Sequence, residues 1–295
     1  MTNAAGTAVT LKAGDYEAVL FSVGAAIGAI KYQGRDIVAA DAGDTPSAGF
    51  KGKALLPWPN RIADGKYTFD GKNYEVPITE HDKNAALHGL ACWTDWQITS
   101  MDTTSVAFKT TVAASPGYPW TLEAQTTYKL DAETGLTCSI VARNIGEGTA
   151  PYGVSSHPYI TCNNAPIDNC ELTVPAAQVL EVDENLKPVA LTGVHEANLD
   201  YRTPHAISGQ EIDHAFTELP EDSWAVKLHD PASGQTVCVA ATAPWVQVYS
   251  GSNIGRLGVA VEPMTCPPNA FNSHEDLVLL APGDESHFEF TIFEV

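Results

Sequence analysis

Positive charge is scarce in this chain: 16 Lys and Arg stand against 36 Asp and Glu in 295 residues, a formal net charge of −20. A surface of that sign repels phosphate backbones and anionic lipid head groups, so neither nucleic acid nor membrane is an expected partner. No apolar run approaches the roughly 18 residues needed to span a bilayer. Met1 to Asp15 carry no basic segment followed by an apolar stretch, which makes the cytoplasm the expected compartment. The six cysteines (Cys92, Cys138, Cys162, Cys170, Cys238 and Cys266) form no C-x-x-C pair, so they read as buried free thiols rather than a metal site or disulfide framework.

Cofactor motifs are missing as well. Gly24-Ala25-Ala26-Ile27-Gly28 lacks the G-x-G-x-x-G spacing of a dinucleotide fold, and no phosphate-binding G-x-x-x-x-G-K-[ST] loop is present. Gly153-Val154-Ser155-Ser156-His157 begins like a nucleophile elbow but has His157 where the second glycine is required. The histidines lack H-E-x-x-H spacing. No metal and no cofactor are expected.

No window of a dozen residues sustains the apolar spacing of an amphipathic helix, which disfavours βαβ units. What recurs instead are short segments rich in β-branched and aromatic residues, bounded by Gly, Pro, Asn or Asp. Examples are Tyr16 to Val23, Ser105 to Val112, Leu122 to Leu130, Leu136 to Arg143, Trp245 to Tyr249, Gly258 to Glu262 and His287 to Phe293. Asp70-Gly71 between Tyr67-Thr68-Phe69 and Tyr74-Glu75-Val76 reads as a tight hairpin. The expected fold is all-β, a large antiparallel β-sandwich forming one domain over residues 1–295; 44% hydrophobic composition supplies its core. Asp183 to Glu211, polar and close to His195, His205 and His214, reads as a loop that borders a site.

Three stretches combine ionisable residues with local apolarity. Asn60-Arg61-Ile62 is followed by Leu87-His88-Gly89, Trp93 and Trp96. In Pro151-Tyr152-Gly153-Val154-Ser155-Ser156-His157-Pro158-Tyr159 an imidazole stands at a strand end, suited to proton transfer if near its ordinary pKa. Leu257-Gly258-Val259-Ala260-Val261-Glu262-Pro263-Met264 ends an apolar strand in a carboxylate, which costs free energy unless paired, hydrogen-bonded or protonated. Trp58, Trp93, Trp96, Trp245 and Tyr249 offer flat faces for a sugar ring, although most of them are expected in the core, and Trp245, Gln247 and Tyr249 share one strand face.

The order Asn60-Arg61-Ile62, Leu87-His88-Gly89, His157-Pro158-Tyr159, Ile212-Asp213-His214 and Val261-Glu262-Pro263 resembles the aldose 1-epimerase (galactose mutarotase) family over nearly the whole chain. Glu262-Pro263-Met264 through Phe271-Asn272 is similar to a less characterised bacterial branch, some of whose members are proposed to act on sulfonated sugars. The resemblance implies a galactose mutarotase-like supersandwich and interconversion of the α and β anomers of a free aldose without a cofactor. It implies Glu262 as base, His157 as acid and His88 as a second histidine near the anomeric centre. Arg61 and Asp213 match residues that contact sugar hydroxyls, and Asn60, Tyr249 and Gln247 join them as expected substrate contacts. For this role Glu262 has to stay ionised, so neighbouring donors and a charged His157 are expected to offset its burial. The expected partner is a small-molecule sugar, and the expected state is monomer or homodimer. The alternatives are a non-catalytic sugar-binding regulator on the same fold, an epimerase for a sulfonated or phosphorylated hexose, and a glycosidase or lyase that pairs Asp213 with Glu262.

Overall fold

Alternation of apolar and polar side chains is the force that organises most of the structure. The computed structural model describes residues 3–295. Leu122–Asp131 alternates buried and more exposed positions along its whole length, as a strand with one face on the core must. It lies in a nine-stranded sheet ordered Gln97–Met101, Ser105–Val112, Leu122–Asp131, Gly135–Asn144, Glu285–Glu294, Thr236–Ala241, Trp224–His229, Glu171–Thr173 and His205–Ala206. The expected hairpin forms too: Lys66–Phe69 pairs with Lys72–Glu75, and Asp70 and Gly71 both take the positive φ of a tight two-residue turn.

The second sheet has twelve strands. Its middle runs Arg35–Val38, Tyr159–Ile160, Val259–Met264, Trp245–Tyr249, Asp213–Thr217 and Gln178–Val182, all antiparallel neighbours. Every residue of Val259–Met264 is buried, as is every residue from Pro151 to Ile160. Continuous burial means that both faces of this central region are covered, one by the core between the sheets and the other by the loops around the candidate site.

Part of Asp183 to Glu211 is not loop. Pro188–Gly193 pairs with Gln178–Val182 as an edge hairpin, and His205–Ala206 pairs with Glu171–Thr173. The edge strand is mostly exposed, so no alternation marks it in the sequence. All six cysteines are free and buried, as expected. Among the described residues no helix is long and apolar enough to cross a membrane.

Candidate active site

Strand register assembles the site. Ser155 pairs with Met264 and Tyr159 with Ala260, so His157, midway between, falls level with Glu262 on the adjacent strand. Gln247 pairs with Glu262 from the other side, and Asp213 pairs with Tyr249 one strand further out. Directly opposed antiparallel residues share a face with close Cβ atoms, so residues far apart in sequence meet. The His157 backbone is fixed on its outer edge, where its N–H donates to Lys53 O (3.1 Å) and its carbonyl accepts from Gly52 N–H (2.8 Å). His157 Nε2 lies 3.3 Å from Glu262 Oε1.

His88 arrives from the small sheet of Arg61–Ala63 and Ala85–Leu87. Its backbone N–H donates to Asn60 O at 2.8 Å, while the Asn60 N–H donates to His88 Nδ1 at 3.2 Å. This reciprocal pair requires positive φ at both residues, 52° and 63°. Gly89, with φ 75°, has no room for a side chain, because a Cβ there would run into the Leu56 carbonyl.

The cavity over these groups measures about 290 Å³. Asn60, Arg61, His88, His157, Asp213, Tyr249 and Glu262 line it, as the sequence suggested. Gln247 does not; buried behind the wall, it donates through Nε2 to Asp213 Oδ1 at 2.5 Å and serves as a brace. The tryptophans lie mostly in the core, as expected. Trp58, Trp96 and Trp245 are buried in the core, and Trp93 stands half exposed beside Phe50. Large apolar side chains gain more from full burial than from lining a polar cleft. His195, His205 and His214 are outside the cavity, although Leu186, in the turn of the edge hairpin, does border it.

Several lining residues carried no assignment from sequence: Phe50, Glu80, Lys83, Tyr159, Leu186 and Asn253. Glu80 grips Arg61 with two hydrogen bonds, accepting from Nε at 2.6 Å and from the second guanidinium nitrogen at 2.8 Å. Asp213 lies 3.7 Å from the same guanidinium. Burial opposes the Arg61 charge, but Glu80, Asp213 and Glu262 outweigh it and hold its pKa above the ordinary value. No local sequence spacing announces Glu80, since the pairing depends on how two loops fold back; Tyr159, by contrast, sits in the same motif as His157.

Two expectations about charge are corrected. His157 does follow the end of the strand Ser155–Ser156, but its imidazole is not near its ordinary pKa: it is buried, and burial with help from the Arg61 charge pushes it down to about 3. Nor do donors offset the burial of Glu262. Its Oε2 has no hydrogen-bond partner, and burial together with Asp213 raises its pKa well above the carboxylate range despite Arg61. Burial likewise lowers His88, assisted by His157 and Arg61. Both shifts run toward the neutral form, for Glu262 and for His157 alike.

His88, His157 and Glu262 place ligand-type atoms within 4.8 Å of one another, close enough to invite a cation. The hydrogen bond from Asn60 consumes the Nδ1 lone pair of neutral His88, so Nε2 bears the hydrogen and has no lone pair for a metal. The cluster is thus held by hydrogen bonding rather than by three free lone pairs.

The structure is an antiparallel β-sandwich with a buried cluster of His88, His157 and Glu262 under a cleft lined by further polar side chains. The chain belongs to the aldose 1-epimerase family, whose model matches residues 7–292. It is 43% identical over 288 residues to the uncharacterised protein YihR of Escherichia coli (strain K12), covering 98% of this chain and 93% of that one. It is 27% identical over 270 residues to the galactose mutarotase of Rattus norvegicus, covering 79% and 76%. Its fold matches that of an aldose epimerase homologue from C. elegans with a TM-score of 0.85, at 20% identity and over 98% and 99% of the two chains.

Proposed function

We propose that the protein is an aldose 1-epimerase that interconverts the α and β anomers of a free sugar. The observation that carries this reading is the pair itself: Glu262 Oε1 and His157 Nε2 are 3.3 Å apart at the cavity floor, and Glu262 Oε2 has no protein partner. The sugar O1–H donates to that free oxygen and favours the carboxylate form of Glu262, with His157 as its protonated partner. Glu262 then takes the O1 proton while His157 protonates the ring oxygen O5. The C1–O5 bond breaks, C1 becomes an aldehyde, rotation about C1–C2 presents its other face, and the reverse transfers close the ring. No proton is gained or lost over the cycle, and no electron changes hands. His88 contributes an Nε2–H donor beside the reacting oxygens, and Arg61 and Asp213 receive hydroxyls.

General acid/base groups contribute about 10²- to 10⁴-fold each. Glu262→Gln is expected to lower the rate by that factor, followed by polarimetry or proton NMR on freshly dissolved single anomers, with the melting temperature retained. His157→Asn is expected to lose more rate than His88→Asn. A Glu262→Gln variant with near wild-type turnover would sink the assignment.

A second reading, an aldose bearing one negative charge such as a sulfonated hexose, is supported by Lys83. This half-buried lysine lines the cavity and donates to the Glu184 carbonyl (2.8 Å), with no carboxylate partner. On this reading Lys83→Met lowers kcat/KM for 6-sulfonated glucose by about tenfold, the scale of one charged hydrogen bond, and leaves glucose unchanged. Equal effects on both sugars would remove it.

A further inference from the structure

Burial leaves the imidazole of His157 without a polar partner at Nδ1, yet the proposed cycle needs it as a cation. Two aromatic rings lie nearly parallel to it. The Tyr159 ring is 4.9 Å away at 20°, and the Phe50 ring is 6.4 Å away at 20°.

We propose that Tyr159 and Phe50 are positioning residues for the reaction, whose ring faces fix the plane of the His157 imidazole and stabilise its protonated form. The proposal rests on the reading of His157 as the acid. A ring face carries negative charge in its quadrupole and attracts a desolvated cation within about 6 Å. The Tyr159 face meets that distance, and the Phe50 face adds a longer-range contribution.

Both rings are held independently of substrate. The Tyr159 hydroxyl donates to Gly49 O at 3.1 Å and accepts from Asn253 Nδ2 at 3.2 Å, which joins the two short helical lips of the cleft, Ala48–Phe50 and Ser252–Ile254. Gly49 has φ 65°, and a Cβ there would meet the Asn253 side chain and come within 2.7 Å of the Tyr159 hydroxyl. Phe50 itself has φ 56°, a conformation bulky residues rarely adopt. Its ring packs on His88 at 4.6 Å and on Trp93 at 5.4 Å, while the buried Lys53 places its ammonium 4.5 Å from the Trp93 ring centre. This chain of contacts accounts for the half-exposed Trp93, which touches no part of the cavity.

The other charged and titratable groups around His157 are Glu262 at 3.3 Å, the His88 ring edge-on at 5.3 Å, and the Arg61 guanidinium. Asp213 acts on it only through Glu262 and Arg61. Lys53 presents its backbone carbonyl to His157 and turns its ammonium to Val23 O. Glu262 is therefore the one favourable charge, and Arg61 opposes protonation. The rings act in the direction of Glu262.

The test is the pH dependence of kcat in Tyr159→Leu, Phe50→Leu and Tyr159→Phe. His157 has to be protonated in the sugar complex, so the rate falls as pH rises through its pKa there. Loss of a ring face lowers that pKa, and the alkaline limb moves to lower pH, by about half a unit in Tyr159→Leu and by less in Phe50→Leu. Over the same change KM is expected to stay within about twofold. Tyr159→Phe keeps the face and is expected to keep the limb. Leucine variants with the wild-type limb, whatever their absolute rate, would overturn the proposal, as would a Tyr159→Phe shift as large as that of Tyr159→Leu. Phe50 is half-buried on a lip, so Phe50→Leu carries the test if Tyr159→Leu fails to fold. Wild-type protein that turns over no aldose would sink the functional reading instead.

Discussion

Burial drives Glu262 and His157 in opposite pKa directions, each toward its neutral form. The two shifts have opposite consequences for stability. The folded pKa of His157 is depressed to about 3, so its contribution is present above the unfolded value near 6.5 and is lost as pH falls towards 3. The folded pKa of Glu262 is raised, so its contribution is present below the unfolded value near 4.5 and is lost as pH climbs above it. Between pH 6 and 4 the His157 effect amounts to about 1.4 kcal/mol per pH unit at most. His157→Asn is accordingly expected to flatten the acid side of a plot of urea midpoint against pH. An unchanged acid slope would mean that His157 takes up its proton in the folded site as easily as in water.

Elements bring these residues together through contacts that lie outside the reaction. Arg61 is aimed by Glu80, with side chains only 12% and 18% exposed, and Asp213 is aimed by Gln247. Glu80→Gln leaves Arg61 with one neutral acceptor in place of a bidentate carboxylate. The expected result is a rise in KM of about three- to tenfold with a smaller change in kcat, and a stability loss of about 1–2 kcal/mol. Steady-state kinetics and a denaturant titration separate the two effects; a fall in kcat alone would place Arg61 in proton transfer rather than in binding. Gly89→Ala tests the tight approach of the His88 turn to Leu56. Both the positive φ and the backbone contact oppose a Cβ, so a loss of more than about 1–2 kcal/mol is expected from thermal melting. Wild-type stability would show that the turn relaxes at no cost.

On the scale of the whole molecule the charge of −20 bears on which sugars enter. Within the cleft Arg61 is already matched by Glu80 and Asp213, and Lys83 is the one lining cation among the described residues without a carboxylate partner. A phosphate brings close to two negative charges and needs several convergent donors. Glucose or galactose is therefore expected to be turned over at least as efficiently as glucose 6-phosphate, in kcat/KM compared at one ionic strength. A phosphate preference above tenfold, about 1.4 kcal/mol of discrimination, would contradict this balance.

The sequence by itself determined the all-β class, most strand positions and most of the residues that line the candidate site. Strands such as Ser105–Val112 and Trp245–Tyr249 stand at the expected bounds, because alternation against a core and turn residues at the ends are local signals. Asn60, Arg61, His88, His157, Asp213 and Glu262 were legible because they sit in short ordered motifs, and Tyr249 because period-two alternation puts it on the strand face of Trp245 and Gln247. Gln247 was misplaced into the cleft because period-two alternation gives its face but not what covers that face. The edge strand Pro188–Gly193 was missed because an exposed edge has no burial pattern to read. Only the tertiary structure decided that Glu80 holds Arg61, that Tyr159 and Phe50 flank His157, and that burial shifts Glu262 and His157 toward their neutral forms. Those facts depend on register between strands about a hundred residues apart and on how completely water is excluded, and neither is a property of any local stretch of chain.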